Sequence, residues 1–542
     1  MTAFATRPIP DSLRHHYREQ EWWSDDTLGA VVDRALAAAP HTQVQVWSRE
    51  HPWSGTYGDL AREARRLVAV LRAHGLEPGD VVAFQLPNRR EAITAFYALA
   101  LGGYVLVPIV HIYGRKEVGY ILRESGARAY LSAPAFGHID YTEIIDTEAD
   151  QLGDLELHLL TDEPTGSTPG GLERIGWSAV DAADPAEPVS GVDPDDVAVL
   201  AYTSGTTSDP KGVVHTHRTL LAELVHMRRW SDQTQPNLMG SPVTHATGML
   251  GAVLTPITVG QPIHVIDQWD PGWVLEIMLD AGISAGNGAS FFLASLLEHP
   301  DFTADHAALM PRIGLGGAPV PAALGELAAS HAITIIRAYG STEHPSVSGS
   351  DYDDGADKRH HTDGRPLAGV ELRLVDDEGV EVEPGTPGEI LTRGPELCVG
   401  YTDPELTRAT FDDDGWYRTG DMGVLDDDGY LTITDRIKDV IIRGGENISA
   451  AEVEDALAPL PGVAEVAVVA TPDARLGERA CALVRLTPGA DAPTLTDMQA
   501  HLERIGLARQ KWPEKLQVVQ DFPRTATGKI RKVELRRQQR SA

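Results

Sequence analysis

The chain has 542 residues, which is too long for one hydrophobic core and predicts at least two domains. Its composition, 42% hydrophobic and 23% charged, is ordinary for a globular enzyme. The formal net charge of −33 argues against binding to nucleic acid or to an anionic membrane surface, so an anionic ligand requires a local basic site. The two cysteines, Cys398 and Cys481, form neither a zinc motif nor a disulfide framework.

The N-terminal sequence contains no apolar segment of the signal-peptide type, so a cytoplasmic location is expected. One stretch, AITAFYALALGGYVLVPIV at 92–110, is almost entirely apolar and about long enough to span a bilayer. A Gly-Gly pair and a proline interrupt it, however. The pattern therefore predicts a buried helix ending near Leu101, a turn and a buried strand at 105–107, with no membrane span.

Short β-branched runs alternate with amphipathic helical stretches, which is typical of α/β layers with largely parallel sheets. The predicted strands lie at 81–86, 105–109, 197–205, 262–267 and 334–343, and the predicted helices include 59–74 and 273–281. From about residue 371 the pattern changes to strands separated by Asp/Gly turns, which predicts a small β-rich subdomain. The sequence after Arg436 indicates a compact α+β unit with a basic tail.

The segment YTSGTTSDPKGVVHTH at 202–217 directly follows a predicted buried strand. Hydroxyls and backbone N–H groups on a tight, glycine-containing loop bind phosphate oxygens, and a lysine adds the charge. The spacing from Gly205 to Lys211 differs from that of a Walker A loop. A serine- and threonine-rich turn with a chance lysine is the alternative. Only eight of the 46 basic residues are lysines, which favours a specific need for the ammonium group of Lys211.

Five further segments follow in order, and together with this loop they closely resemble the AMP-forming acyl-CoA synthetases of the adenylate-forming ligase superfamily. These segments are GLGGAPV (314–320), YGSTE (339–343), WYRTGD (416–421), DRIKDVIIRGGENISAAEVE (435–454) and PRTATGKIRK (523–532). The resemblance covers essentially the whole chain. It implies a large N-terminal domain of layered α/β subdomains with a small β-rich subdomain, at 1–434. A mobile α+β C-terminal domain would follow at 435–542, with a hinge at Asp435.

The resemblance also implies which residues bind ATP and coenzyme A. The loop would hold the ATP phosphates, Tyr339 would stack on adenine, and Asp421 would bind the ribose hydroxyls with help from Arg436. An Asx turn is the alternative for Asp421. The full set implied to bind these two molecules is Thr203, Ser204, Gly205, Thr206, Thr207, Lys211, Gly316, Gly317, Ala318, Pro319, Tyr339, Gly340, Ser341, Asp421, Arg436, Lys438, Gly444 and Gly445.

Three residues resemble those that carry the chemistry in this superfamily. Thr342 and Glu343 would contact the α-phosphate, with Glu343 binding Mg²⁺, and Lys529 would be the catalytic lysine of adenylation. A carboxylate beside phosphate oxygens is a normal Mg²⁺ environment, although Glu343 in a surface ion pair is the alternative. Lys529 as part of a plain basic tail, and Asp435 as the cap of a turn, are the corresponding alternatives for those residues.

The predicted acid pocket contains His245, Thr247, Met249, Asn287, Gly288, Gly314 and His344. A buried core histidine is an equal alternative for His245. The segments around 106–118 and 339–350 look most like the subgroup that acts on alicyclic and aromatic carboxylates, such as cyclohexanecarboxylate; a medium-chain acid is the other expectation. A monomer or homodimer is expected. Adenylation of an aryl acid or a small inorganic oxyanion, with transfer to an acceptor other than coenzyme A such as a carrier protein or an amine, is the alternative.

Two other functional classes are weighed against this prediction. GISAG at 282–286 matches the G-x-S-x-G motif of serine hydrolases, but that motif needs a strand before the serine, whereas here a predicted helix precedes it and Gly282 resembles its C-terminal cap. A catalytically inactive nucleotide-binding protein is the third class, and the presence of Lys211, Glu343 and Lys529 argues against it. His215 and His217 share one face of a predicted strand, but no third ligand has suitable spacing for a metal.

Overall fold

The computed structural model describes residues 4, 6–165, 171–203, 210–230, 236–376, 378–436, 439–443, 446–473, 477–505, 507, 509–525 and 528–541. The α-helices are α1 Asp11–Glu19, α2 Leu28–Ala38, α3 Tyr57–Ala73, α4 Arg90–Gly102, α5 Arg115–Ser125, α6 Tyr141–Glu148, α7 Ser178–Ala182, α8 His217–Trp230, α9 Ala246–Gly248, α10 Thr255–Val259, α11 Pro271–Ala281, α12 Ser290–Leu297, α13 Ala304–Leu309, α14 Ala322–Ser330, α15 Ala356–His361, α16 Pro404–Thr410, α17 Ala450–Leu457, α18 Leu495–Arg504 and α19 Lys532–Ser541. A π-helix spans Met249–Leu254, and short 3₁₀ helices span Ala149–Gln151 and Arg509–Lys511.

The strands before residue 290 are β1 Gln43–Trp47, β2 Trp53–Thr56, β3 Val81–Gln85, β4 Val105–Pro108, β5 Ala129–Ser132, β6 Ala135–Phe136, β7 Ile139–Asp140, β8 Leu157–Leu160, β9 Glu173–Gly176, β10 Val197–Thr203, β11 Lys211–Thr216, β12 Asn237–Met239, β13 Ile263–Ile266 and β14 Ser284–Ala285. The later strands are β15 Arg312–Gly316, β16 Thr334–Tyr339, β17 Ser348–Gly349, β18 Arg365–Pro366, β19 Glu371–Val375, β20 Gly388–Arg393, β21 Gly400–Tyr401, β22 Tyr417–Leu425, β23 Leu431–Arg436, β24 Ile441–Arg443, β25 Glu446–Ile448, β26 Val463–Asp473, β27 Gly477–Leu486 and β28 Lys515–Val519.

The largest sheet has eight strands in the order β21-β11-β10-β4-β3-β5-β8-β9. Its strands from β10 to β9 pair in parallel, whereas β10 and β11 form an antiparallel hairpin. Strands β3, β4, β5 and β8 are buried along their whole length, as expected for parallel strands covered on both faces. Thr203 and Lys211, which flank the predicted phosphate loop in sequence, pair with each other in the β10–β11 hairpin of this sheet.

The apolar stretch at 92–110 forms the predicted helix–turn–strand unit. Helix α4 ends at Gly102, Gly103 caps it in the left-handed conformation with φ 68°, and β4 follows. Within the described residues, no helix combines the length and the apolar character needed to cross a membrane.

Among the described residues before the C-terminal unit, four smaller sheets accompany the largest one, and the smallest of them pairs β6 with β7. One has five strands in the order β14-β12-β13-β1-β2, and a second has the order β15-β16-β17-β18. The third, β19-β20-β22-β23, is wholly antiparallel and matches the β-rich subdomain predicted from residue 371. The mixed α/β architecture expected from the sequence is confirmed.

The C-terminal unit has its own sheet and its own core. Its strands run in the order β25-β24-β27-β26, with β28 beside β27. Helices α17 and α18 bury residues such as Val453 and Leu502 against this sheet. Asp435 lies in β23 opposite Met422, and Ser449 Oγ donates to the carbonyl of Thr434 at 2.7 Å. The side chains of Asp435 and Arg436 fall outside the described residues, so the hinge stays a prediction.

Candidate active site

One large cavity, of about 890 Å³, lies between the N-terminal sheets and the C-terminal unit. Most of the sequence motifs contribute to its wall. The predicted site residues found there are Thr203, Lys211, His245, Thr247, Asn287, Gly288, Gly314, Gly316, Gly317, Tyr339, Gly340, Ser341, Thr342, Glu343, Asp421 and Lys529. Segments separated by more than three hundred residues in sequence therefore meet around one space.

The phosphate-loop motif is held by the β10–β11 hairpin. Thr203 ends β10 and lies directly opposite Lys211, the first residue of β11. The ammonium of Lys211 lies 5.7 Å from the centre of the Tyr401 ring, a distance at which the ring attracts a cation. Ser204, Gly205, Thr206 and Thr207 lie outside the described residues, as do Lys438, Gly444 and Gly445.

Tyr339 and Asp421, the residues assigned to adenine and ribose, are in direct contact. The Tyr339 hydroxyl donates to Asp421 Oδ2 at 2.7 Å, and the Asp421 N–H donates to Thr419 Oγ1 at 3.0 Å. Burial, with the nearby Asp421 carboxylate, raises the pKa of the Tyr339 hydroxyl well above its usual value, so that it remains a donor. The aspartate is thereby fixed at the cavity wall.

The loop after β16 folds back sharply and presents Thr342 and Glu343. A Cβ at Gly340 would lie 1.9 Å from the carbonyl oxygen of Pro345, so only glycine fits there. Glu343 Oε1 accepts a hydrogen bond from the Tyr401 hydroxyl at 2.8 Å. His215 Nε2 donates to the carbonyl of Thr342 at 2.7 Å, which anchors the loop to β11. Burial lowers the pKa of His215 to about 4, so the ring is neutral.

Lys529 reaches the cavity from the C-terminal unit. The Thr525 N–H donates to the Lys529 carbonyl at 2.8 Å and the Lys529 N–H donates to Thr525 Oγ1 at 3.1 Å, which closes a tight turn. Gly528 in that turn has φ +81°, and a Cβ there would lie 3.1 Å from the ring of Phe291 in the N-terminal part. The turn thus touches the N-terminal part at a position where only glycine is unstrained.

His245 lies near Lys529 and is half-buried. Its Nδ1 accepts from the Thr247 N–H at 3.4 Å, so His245 caps α9. Burial, together with the charge of Lys529, lowers the pKa of His245 to about 4 and keeps the ring neutral. The ring therefore serves as a cap and as part of the cavity wall at once.

A set of hydrogen bonds between polar groups lines the part of the cavity next to β15, where the acid is predicted to bind. Asn287 Oδ1 accepts from the Gly314 N–H at 2.8 Å, while its Nδ2 donates to Asn237 Oδ1 at 2.7 Å. The Gly288 N–H donates to the Gly314 carbonyl at 3.0 Å. These bonds fix the floor next to β15.

Four of the predicted residues, Met249, Ala318, Pro319 and His344, do not border the described cavity. Met249 is 2% exposed and packs into the large N-terminal core instead. Pro319 follows Ala318 on the outer side of the turn after β15, is exposed, and accepts from Ser290 Oγ at 2.9 Å. His344 is fully buried and faces Glu396, because the loop turns it away from the cavity beside Glu343.

Sequence reasoning did not single out one wall of the cavity. It is formed by α8 and by the π-helix, which contribute Glu223, Met227, Trp230, Leu250 and Gly251. The three α8 residues recur at intervals of three and four, which is the spacing of one helical face. That spacing, directly after the phosphate loop, was the available signal.

The structure does not support the serine-hydrolase alternative. Gly282 caps α11 with φ 65° as expected, and Ser284 lies in the two-residue strand β14. The Ser284 hydroxyl has no hydrogen-bond partner among the described residues, so no general base contacts it there. His217, singled out with His215, accepts from the Leu28 N–H at 3.1 Å and thereby supports the start of α2.

Comparisons with known proteins identify the family of the chain. The family described as AMP-binding enzyme matches residues 32–402, and the AMP-binding enzyme C-terminal domain matches residues 452–529. These matches define an adenylate-forming enzyme. The chain is 33% identical over 540 residues to a medium-chain fatty-acid–CoA ligase of Escherichia coli (strain K12), covering 98% of this chain and 94% of that protein. It is 32% identical over 514 residues to a feruloyl-CoA synthase of Amycolatopsis sp, covering 94% and 98%.

The fold is also shared with solved structures. The crystal structure of ATP-bound MatB from Rhodopseudomonas palustris superposes with a TM-score of 0.82 at 28% identity, covering 95% of this chain and 99% of that one. The chain therefore belongs to the AMP-binding enzyme family, as an AMP-forming acyl-CoA synthetase of the adenylate-forming ligase superfamily.

Proposed function

We propose that this protein activates a medium-chain, aromatic or alicyclic carboxylic acid with MgATP and transfers the acyl group to coenzyme A, with the residue roles described below. The observation that carries the proposal is the single cavity. It collects Lys211, Glu343 and Asp421 from three N-terminal segments and Lys529 from the C-terminal unit. An adenylation reaction needs a phosphate site, a ribose site and a mobile positive charge in this relation to one another.

In the first half-reaction, a carboxylate oxygen of the acid attacks the α-phosphorus of ATP. The bond to pyrophosphate breaks, and acyl-AMP and pyrophosphate result. Lys211 at the β10–β11 hairpin would hold the departing phosphates. Asp421, oriented by Tyr339, would accept the ribose hydroxyls. Lys529 would offset the negative charge that develops between the carboxylate and the α-phosphate, and such fixed charges stabilise the transition state strongly.

The residues on the cavity wall fit a Mg²⁺ ion bound with ATP. Glu343 Oε1 accepts from Tyr401, which fixes the carboxylate and directs its second oxygen as a hard ligand for the cation. When bound, the ion would neutralise phosphate charge. The residues of this chain then hold the phosphates and the carboxylate in line.

In the second half-reaction, the thiolate of coenzyme A attacks the acyl carbon, the bond to AMP breaks, and the thioester and AMP leave. Lys529 and the thiol would approach the same centre, so a rotation of the C-terminal domain about Asp435 would exchange them. The Ser449 Oγ hydrogen bond to the Thr434 carbonyl crosses this joint, and a rotation can break it at a cost of about 1 kcal/mol.

The acid would lie between α8 and the π-helix. Met227, Trp230 and Leu250 give this wall an apolar character, which suits a hydrocarbon or ring. Gly251 lies in the π-helix, a form that often occurs at functional sites, and its missing side chain leaves room beside Met239. The names of the two curated relatives, which act on a medium-chain acid and on ferulate, support the same range.

The test is a pyrophosphate-release assay with a panel of straight-chain, alicyclic and aromatic acids, each with and without coenzyme A. We expect release with at least one of these acids and thioester formation only when coenzyme A is present. Acid-dependent release with no thioester would favour another acceptor, such as an amine or a carrier protein. No acid-dependent release across the panel would contradict the proposed substrate class.

A further inference from the structure

A group of buried ionisable side chains lies behind the loop that presents Thr342 and Glu343. It consists of Glu223 and His226 on α8, His344 on that loop, and Glu396 in the segment before β21. Glu223, His344 and Glu396 are 0% exposed and His226 is 4% exposed. Glu223 and His226 are three residues apart on α8 and therefore share one face of that helix. We call these four residues the buried Glu–His cluster.

Ligand atoms of Glu223, His226 and Glu396 lie close to one another, and His344 contacts Glu396. His344 Nε2 lies 3.1 Å and His226 Nδ1 lies 3.3 Å from Glu396 Oε1. His226 Nδ1 also lies 4.0 Å from Glu223 Oε2. One ligand atom each of Glu223, His226 and Glu396 can be chosen so that all lie within 4.8 Å of one another. For a tetrahedral ion with bonds of about 2.0–2.1 Å, ligand atoms are about 3.4 Å apart. Glu223, His226 and Glu396 approach that arrangement, and His344 lies beside it in contact with Glu396.

These atoms are buried without hydrogen bonds of acceptable geometry among the described residues. This holds for both Glu396 carboxylate oxygens, Glu223 Oε2, His226 Nδ1 and His344 Nε2. A buried polar atom without a partner costs free energy, and two buried carboxylates cost still more. Positive charge must therefore lie beside these carboxylates, and either protonated histidines paired with Glu396 or a bound cation can supply it.

The orientation of the His226 and His344 rings indicates how they could bind a cation. His226 Nε2 lies 2.8 Å from the carbonyl oxygen of Ala368. A carbonyl only accepts, so Nε2 carries the hydrogen, and in the neutral ring Nδ1 presents its lone pair to Glu396 and Glu223. His344 Nδ1, 2.8 Å from Thr392 Oγ1, can be held in the same way. A ring nitrogen fixed by a backbone carbonyl, with the other nitrogen facing carboxylates, is the usual environment of a metal-binding histidine.

The carboxylate of Glu223 is held in place as well. Ser346 Oγ donates to Glu223 Oε1 at 2.6 Å, which leaves Oε2 directed to the cluster. Glu223 and Ser346 also border the large cavity, so an ion has a path from solvent to the cluster.

We propose that Glu223, His226 and Glu396 bind one divalent transition-metal ion, of which Zn²⁺ is the best match to one buried imidazole and two buried carboxylates. The ion joins α8 to the segment before β21, and His344 contacts the site through Glu396. Its role is structural, because all three ligands are buried and come from two separate segments of the fold. The site is separate from the Mg²⁺ site assigned to Glu343, and it does not depend on the proposed function.

The test uses the full-length chain with its affinity tag removed. The protein is equilibrated with a low concentration of Zn²⁺ in excess Mg²⁺, desalted, and analysed by plasma mass spectrometry. We expect about one equivalent of zinc in the wild type and, in Glu396→Gln and His226→Gln, an affinity lower by roughly tenfold or more. The matched control is Glu63→Gln, a carboxylate that is largely buried against Trp177 and Thr94, which should keep the metal. Cobalt substitution should give intense visible d–d bands in the wild type.

Two results would overturn the proposal. A wild-type protein that retains no zinc and shows no cobalt bands would mean that protons on the histidines hold the cluster together. Zinc retained equally in Glu396→Gln and His226→Gln would mean that the metal is bound elsewhere. If Glu396→Gln fails to fold, the wild-type stoichiometry and the His226→Gln variant still decide.

Discussion

The two sides of the cavity are built in different ways. On the N-terminal side, Lys211, Tyr339 and Asp421 sit on strands β11, β16 and β22, each paired with neighbours in a sheet. On the C-terminal side, Lys529 sits in a tight turn between Arg524 and Ile530. The strands belong to packed sheets, whereas the turn belongs to a unit with its own core.

This difference in construction indicates which half-reaction each group can serve. Groups fixed in sheets remain at the nucleotide in both half-reactions, because moving them would break a sheet. A group on a separate unit can be withdrawn at the cost of a few surface contacts. Among the described contacts of the turn, Arg524 lies 5.6 Å from the Phe291 ring, and Gly528 touches the same ring. The comparison predicts that C-terminal substitutions separate the half-reactions and that N-terminal ones do not.

The largest effect is expected for Lys529→Ala. Removing a charge placed at the transition state costs roughly 10²–10³-fold in rate, so adenylation should fall by that factor. Conversion of supplied acyl-AMP with coenzyme A should remain. Both half-reactions are measured separately, by pyrophosphate release and by thioester formation.

The control for Lys529→Ala is Lys532→Ala, three residues away. Lys532 forms an ion pair with Glu454 at 2.8 Å inside the C-terminal unit, so its loss should affect stability slightly and adenylation little. Equal losses of adenylation in the two variants would remove Lys529 from the chemistry.

Lys211→Ala should come next. Its charge-assisted contacts to phosphate are each worth about 1.5–3 kcal/mol, so adenylation should slow by roughly ten- to a hundred-fold. Because Lys211 sits in a sheet and acts on pyrophosphate, supplied acyl-AMP should still be used. Lys358→Ala, a surface lysine paired with Asp426 at 2.6 Å, is the control. Adenylation at the wild-type rate would contradict the phosphate-site assignment.

Much of the fold could be predicted from the sequence because it depends on local patterns. The buried runs at 81–86 and 105–109 became β3 and β4, and Gly282 ended its helix as expected. The features that could not be predicted depend on contacts between residues that are far apart in the sequence. Strand β21 joins the largest sheet beside β11 from two hundred residues away, and His344 turns into a buried cluster although its neighbour Glu343 faces the cavity. Side-chain direction at such a turn depends on tertiary contacts that no local pattern encodes.

Asp435→Pro tests the joint between the two sides. Proline fixes φ near −65° and so limits the rotation that a hinge needs. We expect thioester formation to fall by on the order of tenfold or more, because misplacement at a reacting centre is costly, while acyl-AMP formation remains. Asp435→Ala keeps the backbone free and should behave like wild type.

Since Asp435 lies in β23 opposite Met422, proline there can also weaken the strand. Thermal unfolding of both variants separates this effect from the hinge. If Asp435→Pro slows both half-reactions equally, or neither, at unchanged stability, the alternating-domain mechanism is wrong for this protein.

Glu343→Gln should raise the Mg²⁺ concentration needed for half-maximal adenylation by on the order of tenfold, since a neutral amide is a poorer ligand for a hard cation. The readout is a Mg²⁺ titration of pyrophosphate release. Glu389→Gln is the matched control, because Glu389 also borders the cavity but pairs with Arg418 at 2.5 Å. An unchanged titration for Glu343→Gln, or an equal shift in both variants, would remove Glu343 from the metal site.

The smallest effect concerns the contact between the two sides. Gly528 has φ +81°, and a Cβ there would lie 3.1 Å from the Phe291 ring, so Gly528→Ala should strain the turn that presents Lys529. Left-handed backbone costs a non-glycine residue about 1–2 kcal/mol, which corresponds to adenylation slower by roughly fivefold or somewhat more. Thioester formation from supplied acyl-AMP should not change, because the turn is withdrawn in that step. Phe291→Leu removes the ring but leaves the backbone strain at residue 528. In the double variant with Gly528→Ala, adenylation should therefore recover only the part of the loss that the ring contact causes. If Gly528→Ala slows thioester formation as much as adenylation, the turn serves both half-reactions, and the division between a fixed and a withdrawn side fails.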